Sequence, residues 1–110
     1  MDENERSAIY RLHADFCKIL SDANRLLIIT ELAKGEVSVN ELAKKLGLLQ
    51  SNVSKHLSLM REHGLVEFRR EGSTFFYTLS DLRIYDAIKL LIQAQSDLIT
   101  KRHSLTHINY

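Results

Sequence analysis

The chain has no proline, only four glycines and a single cysteine, Cys17. One thiol excludes an internal disulfide and suits a reducing compartment. No stretch of 18 or more apolar residues occurs, which argues against a membrane-spanning helix. The start of the chain shows no basic segment followed by an apolar one, so no secretory leader is expected and the expected location is cytoplasmic. With 110 residues there is room for one domain with a modest core. Hydrophobic residues at 45% and charged residues at 26% are ordinary for a soluble globular protein. Without proline, punctuation falls to Gly35, Gly47, Gly64 and Gly72, each placed where a helix or strand pattern stops.

The net charge is only +1, but it is unevenly distributed. Residues 1–41 carry five Lys/Arg against eight Asp/Glu. Residues 44–70 carry Lys44, Lys45, Lys55, Arg61, Arg69 and Arg70 against only Glu62 and Glu67. The positive surplus therefore lies in the middle of the chain, as an anion-binding surface would require.

That same region contains SVNELAKKLGLLQSNVSKHL, residues 38–57. Ser38 and Glu41 form S-x-x-E, a capping box that starts a helix. Val39, Leu42, Ala43 and Leu46 recur at helical spacing, and Gly47 supplies the left-handed residue that ends it. A second helix follows, with Val53, Leu57 and Met60 on one face, and runs to Gly64. Its other face offers Gln50, Ser51, Asn52, Ser54, Lys55 and His56, types that bond to phosphates and base edges. By itself this is also what an ordinary helical hairpin with a solvated face would look like.

Around it, residues 3–20 predict a first helix with Ile9, Leu12, Phe16 and Ile19 or Leu20 as its stripe. Ser21 is the expected cap of a second helix with Leu26, Ile29 and Leu32 in the core. Residues 65–70 and 74–79 read as strands joined by Glu71-Gly72-Ser73. Ser80 is expected to cap a last helix over 81–100, followed by a polar tail, 101–110. The whole is a single domain, 1–110, mainly α with a small antiparallel β-hairpin (α+β), four helices preceding the hairpin and one following it. Residues 38–64 form a helix-turn-helix and 65–79 a wing, with Arg69 and Arg70 at its tip, so the expected fold is a winged helix-turn-helix. The last helix carries Leu82, Tyr85, Ile88, Leu91, Ile92, Leu98 and Ile99 on a broad apolar face, more than a small core covers. Pairing of two copies through the first and last helices, with Leu12, Phe16, Tyr85, Ile88, Leu91, Ile92 and Leu98 at the interface, would cover it. Intramolecular packing of those helices is the alternative.

The run LSDANRLLIITEL (20–32) and the segment VNELAKKLGLLQSNVSKHLSLMREHGLVEFRREGSTFFYTLS (39–80) together resemble the ArsR/SmtB family of winged-helix repressors. The likeness covers about residues 16–98. The resemblance implies a homodimer on an inverted-repeat operator in double-stranded DNA, released by an inducer that is often a metal ion. It implies DNA contacts at Gln50, Ser51, Asn52, Ser54, Lys55 and His56, and wing contacts near Arg69, Arg70 and Ser73. The family commonly has a capping residue where this chain has Leu49, so either Gln50 or Ser51 must open the recognition helix.

The metal ligands of the family are another matter. The positions of its Cys-x-Cys thiolate site are occupied here by Ser38 and Asn40, and its last-helix site falls on Asp81, Arg83, Ala94 and Asp97. Neither set makes a metal site. His13 with Cys17, and His103 with His107, lie four residues apart and are better explained without metal. No cofactor is expected. No phosphate loop or nucleophile elbow is present, so an enzyme is not expected. The alternatives are a regulator responsive to oxidation through Cys17 or to an organic ligand, and a winged-helix module for protein or RNA contact.

Overall fold

The computed structural model describes residues 1–108, with side chains through His103. Its elements are α1 (Glu3–Ile19), α2 (Ala23–Leu32), β1 (Val37–Ser38), α3 (Val39–Leu46), α4 (Gln50–Glu62), β2 (Val66–Glu71), β3 (Thr74–Leu79) and α5 (Leu82–Ile108). Contacts divide the chain into two units, Met1–Ser80 and the segment from Asp81 onward.

In the first unit, α2, α3 and α4 close on a three-stranded antiparallel sheet of order β1-β3-β2. The sequence suggested a hairpin alone. β1 is two residues long, too short for alternation to announce it, yet Val37 pairs with Tyr77 and Ser38 with Phe76. The core consists of Ile28, Ile29, Leu32, Leu42, Val53, Leu57, Met60, Leu65 and Val66, all at most 2% exposed. Burying each such side chain is worth about 1.5–3 kcal/mol, so this cluster dominates the stability of the unit. Ile28 is buried where Leu26 was expected, and Leu26 is half-buried. Only Ile19 of the α1 stripe is buried.

The cap of α2 is Asp22, not Ser21. Its carboxylate accepts from Arg25 N at 3.1 Å, while Ser21 donates back to Lys18 O at 2.6 Å and so closes α1. At α3 the expected serine cap and glycine stop are found: Ser38 Oγ accepts from Glu41 N at 3.2 Å, and Gly47 stands at φ 65°. Leu48 N then bonds to Ala43 O at 3.0 Å, so orphan carbonyls at the helix end are satisfied. The wing turn is tighter than expected, because Glu71 pairs with Thr74 and only Gly72 and Ser73 form the loop. Gly72 at φ 62° permits it.

In the second unit, Asp81 rather than Ser80 caps α5, accepting from Arg83 N at 2.9 Å. The same carboxylate bonds Arg83 Nη2 at 2.7 Å, and these bonds from Arg83 hold its pKa down at about 2. The helix continues to Ile108 instead of stopping near Thr100, since no glycine or proline interrupts it.

Candidate nucleic-acid interface

The α3–turn–α4 unit is aimed by its apolar side. Val53, Leu57 and Met60 are buried, which turns the remaining face of α4 outward. Gln50, Ser51, Asn52 and Lys55 are exposed on it, and Ser54 and His56 are half-buried. Helix α4 starts at Gln50. Its cap position, Leu49, makes no side-chain hydrogen bond. The ring of His56 adds a favourable charge interaction to Asp22, whose carboxyl is lowered mainly by the Arg25 backbone N–H. His63 closes the other end, its Nδ1 donating to Leu59 O at 3.0 Å.

A surface cleft brings the wing to this helix. Gln50 and Ser54 line it together with Val39 and Asn40 of α3 and Ser73, Thr74 and Phe75 of the wing. The recognition face and the wing loop are thus parts of one surface. Further along, the Arg61 guanidinium lies 4.1 Å from the centre of the Phe68 ring, and Phe68 packs on Phe75 and Tyr77 at 5.4 and 5.7 Å. This cation–π contact ties the end of α4 to β2.

The two wing arginines are not equivalent. Arg70 donates from Nε to Gly72 O at 2.8 Å and lies over Phe75. Arg69 instead donates from Nε to Glu36 Oε1 and Oε2 at 3.0 and 2.9 Å, and from Nη2 to Oε1 at 2.8 Å. Its Nη1 bonds Glu71 Oε2 at 2.8 Å. The bonds from Arg69 hold the Glu36 carboxyl below its ordinary range and make the guanidinium still harder to deprotonate. Glu36 lies 33 residues away from Arg69, so no local pattern revealed it. Glu71 shares a strand face with Arg69, a signal that was present in the sequence.

Helices α1 and α5 also carry exposed apolar residues. On α1, Ile9, Tyr10 and Leu12 are exposed and Phe16 is half-buried. On α5, Leu91, Ile92, Leu98 and Ile99 are between 56% and 70% exposed, and Tyr85 is half-buried. Ile88, expected on this face, is only 6% exposed.

The residues at the family's metal positions do not fit a metal. Ser38 uses its hydroxyl oxygen on Glu41 N, Asn40 has no thiolate, Arg83 occupies the carboxylate of Asp81, and Ala94 has no donor, which leaves Asp97 as a lone carboxylate in its set. Among the described residues no group of three or more His, Cys, Asp or Glu converges. Cys17 is exposed, with Sγ 3.4 Å from His13 Nε2, and the side chain of His107 lies outside the described residues. Among the described residues no helix is long and apolar enough to cross a membrane.

Residues 22–67 match the model of the bacterial regulatory proteins of the arsR family. The chain is 40% identical over 91 residues to the transcriptional activator HlyU of Vibrio cholerae, covering 83% of this chain and 80% of that protein. It is 36% identical over 78 residues to a biofilm growth-associated repressor of Xylella fastidiosa, covering 71% and 68%. The fold is similar to the solution structure of the homodimeric winged helix-turn-helix DNA-binding domain Mb0332 from Mycobacterium bovis. There the TM-score is 0.75 at 26% identity, covering 87% of this chain and 92% of that one.

Proposed function

The chain belongs to the arsR family of bacterial regulatory proteins, and on that premise we propose that it is a dimeric, sequence-specific repressor of transcription. One observation carries the reading. A polar, exposed face of α4 is joined through a shared cleft to a β-wing, with Lys55 and Arg70 on the outside. In this arrangement the start of α4 enters the major groove, where Gln50 and Asn52 present amides to base edges. Ser51, Ser54, Lys55 and His56 bond to flanking phosphates, and Arg70 and Ser73 extend the contact from the wing. Phosphate contacts fix register and base contacts select sequence.

The exposed apolar faces of α1 and α5 are the dimer surface, through Leu12, Phe16, Tyr85, Leu91, Ile92 and Leu98. Two-fold pairing matches an inverted repeat, whose half-sites lie about 34–36 Å apart, one helical turn of DNA. Bound across a promoter, such a dimer excludes polymerase. The protein acts by binding in the cytoplasm, not by catalysis, and its operator affinity does not depend on metal.

Selection of bound sequences from a random duplex pool tests the reading. Enrichment of an inverted repeat is expected. Recovery of DNA with no enriched sequence would leave only a non-specific binder.

A further inference from the structure

We propose that Arg69 is a positioning residue that ties the wing to β1 through Glu36, and that Arg70 is the arginine through which the wing meets DNA. The inference rests on the DNA-binding reading above and assigns unequal roles within its wing. Strand alternation separates the two side chains. Arg69 stands opposite Phe76, which stands opposite Ser38, so these three positions cross all three strands on one face. Glu36 precedes Ser38 by two residues and Glu71 follows Arg69 by two, which returns both carboxylates to that face. The guanidinium meets both and lies 4.5 Å from the centre of the Phe76 ring.

The opposite face carries Phe68, Arg70, Phe75 and Tyr77. This is the face in contact with α4, through Arg61 over Phe68 and through the cleft that Phe75 shares with Gln50 and Ser54. Arg70 therefore shares a side with the recognition helix, and Arg69 does not. Charge separates them as well. One guanidinium between two carboxylates leaves a net negative cluster at Arg69, which repels phosphate. Among the described residues no carboxylate pairs with Arg70, whose bond is to a backbone carbonyl. Exposed ion pairs are generally weak, but a fork held on both oxygens of one carboxylate is the geometry in which they hold a side chain in place.

The test measures affinity of the full-length protein for a random-sequence duplex across a salt series. Arg70→Gln is expected to flatten the slope of log K against log salt by about 0.9 per protomer. Arg69→Gln and Glu36→Gln are each expected to lower affinity, about two- to fivefold, with the wild-type slope kept, the loss being larger for Arg69→Gln because it also leaves two carboxylates unneutralised. The charge swap Glu36→Arg with Arg69→Glu restores affinity, because the tie is rebuilt with opposite signs. A slope loss in Arg69→Gln equal to that of Arg70→Gln overturns the inference, as does a swap weaker than either single variant. Failure of the wild type to bind the duplex overturns the DNA-binding reading itself, and this inference with it.

Discussion

Lys55→Ala removes one ammonium from the exposed face of α4 in each protomer, hence two from the dimer. Helical order should survive, because alanine is the best helix former and the buried positions Val53 and Leu57 are untouched. If each ammonium displaces one condensed counterion, the slope of log K against log salt falls by about 0.9 for each, about 1.8 for the dimer. Over a fourfold change in salt, from about 50 to 200 mM, that difference amounts to about twelvefold. The variant is thus much weaker than wild type at low salt, and its deficit shrinks about twelvefold as salt rises to the upper value. Fluorescence anisotropy with a labelled operator and with an unrelated duplex measures both slopes. The same flattening is expected on both, because phosphates carry no sequence information. An unchanged slope with a loss confined to the operator would mean that Lys55 reads a base, and an unchanged slope and affinity would remove α4 as the contacting helix.

Four further outcomes follow from other parts of the molecule. Leu91→Asp, at a position 70% exposed, should convert the dimer to a monomer in sedimentation velocity; a dimer that persists would place the interface elsewhere. Leu57→Ala, at a fully buried site, should cost about 2–5 kcal/mol in denaturant unfolding at matched protomer concentration, and a loss below this range would contradict the packing described. Stoichiometric Zn²⁺, Cd²⁺ or Ni²⁺ should leave operator affinity unchanged; a tenfold loss would show ligands that the positions Ser38, Asn40, Asp81 and Arg83 do not supply. Cys17→Ser should keep wild-type affinity under reducing conditions and abolish any response to oxidant, and a response that survives would exclude this thiol as its carrier.

The parts of the site that were legible in the sequence are those governed by neighbours along the chain. Ser38, Glu41 and Gly47 bound α3 through contacts within four residues, and the outward face of α4 follows from the spacing of Val53, Leu57 and Met60. Adjacent residues of equal capping ability blurred the helix starts, so Asp22 and Asp81 took roles first given to Ser21 and Ser80. Contacts that close over long loops left no trace. β1 exists only because β3 returns to Val37, and Arg69 looked like a free cation until Glu36 was brought beside it.

The two paired residues of β1 also limit how the molecule can be switched. Ser38 is at once the last residue of that strand and the cap of α3, so the sheet and the positioning helix share a residue with no linker between them. A hinge needs a few residues free to change their backbone angles, and this junction has none. β1 and α3 therefore cannot hinge against each other at Ser38. A signal that detaches this protein from DNA is thus expected to act elsewhere than at the β1–α3 junction, where any movement of the strand carries the start of the helix with it.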